Sequence, residues 1–322
     1  MDLMAAEKST NVRTSSDPAA RPAGPSASQQ AVLAALHLLD QLSSTLAARA
    51  AERLFVRPRR HPRPRREREL LLDAARRFRI RYRGLSLRAW EWGEGPPVLL
   101  VHGWEGRGAQ LGALIGPLTR AGLRVIAYDG PAHGASPGSE TTLVDLAGAA
   151  GAALDSIGPV AGIVAHSMGA AAATISLARG AEAERAVYLA PVAHVAAAVD
   201  RFFDLIELSP PARAVFLRRL SERTQTGFET IEGGVLAPRM RAGLLVIHDQ
   251  ADREVPPADG DLLAAAWPGA GILRTAGLGH HRILRDAAIV DTVVGFLVAG
   301  RPGLRTPQEQ LDRELFQPDL RA

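Results

Sequence analysis

The chain has 322 residues, 47% of them apolar, and a modest formal net charge of +4, which suits one large domain with a sizeable core and flanking tails. It contains no cysteine, which excludes disulfides, thiol nucleophiles and thiolate metal sites. Lys8 is the only lysine, so nearly every positive charge is a permanently protonated guanidinium, and no uninterrupted apolar run is long enough to predict a membrane-spanning helix.

Residues 1–28 are rich in Ser, Ala, Pro and Gly without period and read as a disordered tail. They carry Asp2, Glu7 and Asp17 and no apolar core behind a basic start, so they do not read as a secretory signal, and a cytoplasmic location is the default expectation. Residues 29–69 read as an N-terminal helix followed by an Arg/Pro-rich linker. Leu33, Leu36, Leu39, Leu42, Leu46 and Leu54 recur at helical spacing and predict one amphipathic helix over Gln30–Val56. The prolines of Arg57–Arg66 forbid a helix there and predict an extended basic segment. A basic segment can hold nucleic acid or an anionic membrane, but this one lacks interleaved aromatics for base stacking and reads instead as a solvated strap.

Residues 70–192 carry the first part of a core. Leu70–Arg77 reads as a short helix. Arg79–Arg83 and Leu85–Trp92 alternate polar and apolar residues about Gly84, the pattern of an antiparallel hairpin, with Trp90 and Trp92 on one face. The texture then changes to continuous apolar runs, Pro97–Val101, Leu123–Tyr128, Val160–Ala165 and Ala186–Leu189, separated by helical stretches over Leu111–Thr119, Thr142–Ile157 (capped by Thr141 or Thr142) and Ala170–Arg179. This alternation predicts an α/β fold: a mostly parallel twisted sheet, buried strands inside and helices on both faces. Residues 193–238 break the alternation with helices over Ala193–Leu208, from Ser209 onward, and over Thr226–Ile231, and read as a small helical lid inserted over the strand ends. Residues 239–300 return to the core with strands Leu244–His248 and Gly271–Arg274 and helices Leu262–Trp267 and Asp286–Val298; residues 301–322 read as a peripheral tail.

The candidate chemistry sits where strands end. Ala165-His166-Ser167-Met168-Gly169 closes a strand and opens an alanine-rich helix, so Ser167 lies on a sharp turn where a serine is either an exposed nucleophile or a helix N-cap. A nucleophilic serine needs a base, and the base an orienting acid. In chain order these are Asp249 or Asp252, then His280 or His281. Asp129 and His133 show no metal-ligand spacing with other carboxylates or histidines, and Gly103, Gly106 and Gly108 are not followed by the Lys-Ser/Thr of a phosphate loop, so no metal or other cofactor is expected.

Five stretches give the order a family likeness: Val101-His102-Gly103-Trp104, Asp129-Gly130-Pro131-Ala132-His133-Gly134-Ala135-Ser136, Ala165–Gly169, Asp252-Arg253-Glu254-Val255-Pro256 and Gly277-Leu278-Gly279-His280. Across roughly residues 85–298 the chain resembles the α/β-hydrolase superfamily, in its lidded serine esterase-like branch. Ala165 and Ala132 stand where that family usually has glycine. The resemblance implies Ser167 as nucleophile, His280 as base and Asp252 as the acid that orients it, with backbone N–H groups of Trp104 and Met168 as the oxyanion hole. It favours Asp252 over Asp249 for its D-x-x-V-P spacing, and His280 over His281 for its G-x-G prefix. His102 and His133 would brace backbone, His166 would pack beneath the turn, and His194 and His248 belong to no motif. The implied activity is hydrolysis of a carboxylic ester or related acyl compound through an acyl-enzyme, on a small-molecule substrate with a small to medium apolar acyl group. An acyltransferase or cofactor-free lyase on the same fold, or a binding role for the basic linker, is the alternative.

Overall fold

The computed structural model describes residues 27–68, 74–301, 303, 304, 306 and 308, apart from the side chains of Gln29 and Arg66. The expected first tail therefore lies almost wholly outside the described residues, as does most of the second. The chain enters through α1 (Ala27–Leu42), α2 (Ser44–Phe55) and a single turn, α3 (Arg65–Glu67). Strands β1 (Arg76–Tyr82), β2 (Leu85–Trp92), β3 (Pro97–Val101), β4 (Arg124–Tyr128), β5 (Val160–His166), β6 (Ala183–Leu189), β7 (Gly243–Asp249) and β8 (Gly271–Thr275) form one sheet in the order β1-β2-β4-β3-β5-β6-β7-β8. β1 and β2 pair antiparallel, β2 joins β4 antiparallel, and every other pairing is parallel. The hairpin turn falls on Arg83 and Gly84, both at positive φ, as a two-residue turn matching strand twist requires.

Helices cover both faces of the sheet, as right-handed crossovers between parallel strands demand. They are α4 (Ile115–Arg120), α5 (Leu143–Ile157), α6 (Met168–Ala178), α7 (Val195–Leu205), α8 (Pro210–Thr224), α9 (Gly233–Leu236), α10 (Pro257–Ala266), α11 (Gly279–Arg282) and α12 (Ala287–Val298). One core gathers α5, α6 and α10 against one face of the sheet, and a second gathers α4 and α12 against the other. β5, central in the sheet, is buried at every residue, which is why its sequence is an unbroken apolar run. Thr142, not Thr141, caps α5, and its hydroxyl and the Asp145 carboxylate exchange hydrogen bonds with each other's backbone N–H.

Several elements differ from the sequence reading. The single N-terminal helix is broken at Ser43, whose hydroxyl caps α2 by accepting from Leu46 N–H. The break rotates the apolar stripe, so Leu42 is 72% exposed while Ala47, Ala48 and Ala51 are fully buried. These alanines, with Leu36 and Val56, form a third core with Val199, Phe203, Phe216 and Leu220 of α7 and α8. The helical insertion between β6 and β7 thus packs against the N-terminal helices. Residues 69–73 lie outside the described residues, and Arg76 and Arg77, expected in a helix, are strand because they pair with Glu91 and Trp90. The stretch Leu111–Thr119 splits into a 3-10 turn over Gly108–Leu114 and α4, and Thr226–Ile231 reduces to a 3-10 turn over Phe228–Thr230.

Candidate active site

The carboxyl end of β5 passes directly into α6 through Ser167, whose backbone sits at φ 55°, ψ −126°. A left-handed φ at a non-glycine residue costs of order 1–3 kcal/mol, so the surroundings must hold it. Ser167 N–H donates to Leu189 C=O at 3.0 Å, and its own C=O accepts from Ala170 and Val192 N–H at 3.0 and 3.2 Å. Gly169 is required sterically: a Cβ there would lie 2.4 Å from His102 O and 2.7 Å from Val101 O. Gly103 is pressed less closely, since its Cβ would lie 3.0 Å from Ser167 Cβ. The loop after β3 therefore rests directly on the turn that carries Ser167, and the Ser167 side chain does not cap α6.

The loop after β7 supplies Asp252, and the helical turn α11, which follows β8, supplies His280. Asp252 Oδ2 lies 2.7 Å from His280 Nδ1, and its other oxygen accepts from Glu254 and Val255 N–H at 2.8 and 3.0 Å. Burial pushes this carboxyl up, but hydrogen bonds from His248, His280 and Val255 N–H outweigh burial and hold it far below the usual carboxylate range. His280 is 7% exposed, and its C=O accepts from His166 Nε2 at 3.0 Å, which seats it against the residue preceding Ser167; the two rings are 4.5 Å apart. No hydrogen bond joins Ser167 Oγ to His280 among the described residues. Such bonds commonly close only when substrate binds.

The two aspartates and the two histidines sit in different surroundings. Asp249 meets no histidine: it accepts from Ala251 N–H, Leu278 N–H and the Thr275 hydroxyl, and so ties the His280 loop to the end of β7. Burial acts to raise its carboxyl, but these donors and Gly279 N–H lower it to about 2. His281 turns outward, with a 61% exposed side chain, and pairs with Glu254 at 2.9 Å; that contact raises its pKa.

His102 and His133 are backbone struts. His102 Nε2 accepts from Gly130 N–H at 2.9 Å and its Nδ1–H donates to Gly103 O, while His133 accepts from Glu105 N–H and donates to Pro131 O. Burial lowers their pKa to about 4 and about 3, and lowers that of His166 to about 3, so all three stay neutral at neutral pH. Ser136 Oγ donates to Asp129 O within its own loop and accepts from Arg88 N–H of β2. No group of three or more potential metal ligands occurs among the described residues.

A family model described as the alpha/beta hydrolase family matches residues 98–292. The chain belongs to the alpha/beta hydrolase family. Among solved structures, an esterase (EaEST) from Exiguobacterium antarcticum aligns with a TM-score of 0.54 at 15% identity, over 69% of this chain and 99% of that one. The esterase RhEst1 from Rhodococcus sp. ECU1013 aligns at 0.53 and 20% identity over 70% and 99% of the two chains, and a bromoperoxidase from Bacillus anthracis at 0.52 and 17% over 70% and 99%. At these identities the likeness is one of fold. No curated protein matches the chain.

In this α/β hydrolase the basic strap is exposed at most positions, as its composition suggested, but several of its arginines are held by the chain. Arg60 donates to the carbonyls of Ala132, Gly134, Ser136 and Gly138; Arg57 pairs with Glu140; Arg63 pairs with the fully buried Asp129 at 2.8 Å and stacks on Trp90. Those guanidinium groups are occupied within the chain. Two further residues escaped the sequence reading. His248, on β7, reaches Asp252 Oδ2 at 3.4 Å, and its one signal is a polar residue interrupting the apolar strand four positions before Asp252. Asp259 accepts from Ala193 and His194 N–H and pairs with the His194 ring, anchoring the start of the insertion to α10.

A cavity of about 980 Å³ opens beside the Ser167 turn. Trp104 and Met168 form its floor, α7 and α8 one wall, and α1 and α2 the other. Among the described residues no helix is long and apolar enough to cross a membrane.

Proposed function

We propose that the protein hydrolyses a carboxylic ester, or a related acyl compound, through Ser167, His280 and Asp252, with the insertion over residues 193–238 as a lid. The reading rests above all on Ser167, a non-glycine residue held at φ 55° on a strand-to-helix turn, against which the Asp252–His280 pair is packed. His280 Nε2 takes the Ser167 proton as Oγ attacks the acyl carbonyl. Asp252, ionised and hydrogen-bonded to Nδ1, keeps the proton on that nitrogen and stabilises the imidazolium. The carbonyl electron pair moves to oxygen, where Met168 and Trp104 N–H would receive it; neither N–H has an acceptor among the described residues. Collapse expels the alcohol, which takes the proton from His280 and leaves an acyl-serine. Water, deprotonated by His280, then repeats the sequence and releases the acid.

Each oxyanion donor is worth about 3–4 kcal/mol of barrier by analogy with other hydrolases. The test is labelling by a fluorescent fluorophosphonate together with turnover of p-nitrophenyl acetate, on the wild type and Ser167→Ala. Labelling and turnover that both vanish in the variant are expected. A folded wild-type protein that neither labels nor turns over ester would overturn the reading, and product analysis with an added alcohol separates hydrolysis from acyl transfer.

A further inference from the structure

The cavity beside Ser167 is built only in part from the region shared with the family. The family match begins at residue 98, whereas Leu33, Leu54 and Phe55 on α1 and α2 line the cavity opposite Val199, Phe202 and Leu220. Phe55 is the junction. Its ring stacks near Trp104, centroids 6.3 Å apart, and meets Phe202 and Phe216 edge-on at 5.0 and 5.4 Å. An aromatic path thus runs from the loop resting on the Ser167 turn, through the N-terminal helices, into the insertion. Glu52 secures the arrangement: it is 6% exposed on α2 and pairs with Arg219 and Arg223 of α8.

The walls offered to a ligand are apolar. Of the charged residues on the lining, Arg57 is paired with Glu140 and Arg59 with Glu105, while Arg53 stands at the exposed rim. Val32, Leu54 and Leu205 line the cavity yet remain 44%, 44% and 73% exposed, large apolar surfaces that nothing in the chain covers among the described residues. At about 980 Å³ the space stands at the upper end of ordinary ligand pockets, of order 300–1,000 Å³, and far exceeds what an acetyl group fills.

We infer that the N-terminal helix pair is half of the substrate pocket and that, through Phe55 and Leu33, it selects esters of long apolar acyl chains over short ones. This rests on the hydrolase reading for the reaction, but the binding it requires does not. It also enlarges the small to medium acyl group expected from the lid sequence alone. Each methylene buried against these walls raises kcat/KM by about fourfold, the equivalent of about 0.8 kcal/mol at 1.4 kcal/mol per tenfold.

Two measurements test it on the full chain. The first is kcat/KM for p-nitrophenyl acetate, octanoate and dodecanoate; the second is calorimetric binding of decanoate and of acetate to Ser167→Ala, which needs no catalysis. Each is made with Leu33→Trp, which adds bulk to the cavity, with Phe55→Ala, and with Leu42→Trp, which lies on the exposed side of α1 outside the cavity. Circular dichroism establishes folding of every variant. The expected result is a dodecanoate-to-acetate ratio well above one, reduced tenfold or more by Leu33→Trp and reduced by Phe55→Ala, with decanoate binding weakened in parallel and Leu42→Trp leaving the ratio as in the wild type. A ratio near one in a protein that labels and hydrolyses acetate, or decanoate binding indifferent to Leu33→Trp, would overturn the inference. Decanoate binding that Leu33→Trp abolishes in a protein without esterase activity would sustain the pocket and sink the hydrolase reading.

Discussion

His248 Nε2 approaches Asp252 Oδ2 at 3.4 Å, the same carboxylate oxygen that meets His280 Nδ1 at 2.7 Å. His248 is 1% exposed, its Nε2 also reaches Val255 O at 3.2 Å, and its Nδ1 has no partner. A buried donor with a choice of two acceptors fixes Asp252 without joining the reacting atoms, which makes His248 a positioning residue. His248→Leu should lower kcat by roughly tenfold, the worth of one hydrogen bond to a charged group, with KM little changed. His248→Gln, which retains an N–H donor, should restore part of the loss. Equal loss in both variants, or a loss confined to KM, would remove His248 from this role.

Asp249 should govern acid stability. Its folded carboxyl is held near 2, against 3.8 unperturbed, so its contribution is complete above the unfolded value and disappears as pH falls from about 4 through about 2. Asp249→Asn removes a charged acceptor from three part-buried hydrogen bonds and should cost about 1–3 kcal/mol at neutral pH. The difference in stability between the two proteins should shrink across that acid window in urea melts. A gap that stays constant with pH would contradict the assignment.

The two small residues flanking Ser167 should respond unequally. Gly169→Ala drives a methyl onto the His102 and Val101 carbonyls, a backbone clash no rotamer relieves, and should destabilise by about 3 kcal/mol with loss of fluorophosphonate labelling. Ala165→Gly, inside β5, frees the backbone and removes one buried methyl, and should cost about 1–2 kcal/mol while labelling persists. Comparable melting temperatures for the two would show that the turn is not so tightly packed.

Arg63→Ala leaves the carboxylate of Asp129, fully buried, without its cation, although Gly108 and Ala135 N–H still donate to it. Removing one partner of a buried pair costs about 3 kcal/mol or more. Arg57→Ala, whose partner Glu140 keeps Arg223, should cost under about 1 kcal/mol. Thermal melts rank the two, and a reversal would mean that the strap is held from its other end.

What the sequence alone determined is local in origin. Buried strands write themselves as apolar runs, helices as periodic stripes, and the tight turn at Ser167 as small residues at fixed offsets, because each of these depends on neighbours a few positions away. The sheet and its flanking helices were legible for that reason, and the family through short motifs in their chain order. The tertiary structure alone decided which partner each side chain meets. Arg57 and Glu140 are 83 positions apart, and His166 and His280 are 114 apart. Nothing in an arginine's local context tells whether its five donors face water, phosphate or the chain's own carbonyls, and Arg60 met the carbonyls. For the same reason a leucine-rich stripe predicts a helix but not the surface it covers: the break at Ser43 turned the alanines of α2 toward α7 and α8, and so made the N-terminal helices a wall of the cavity.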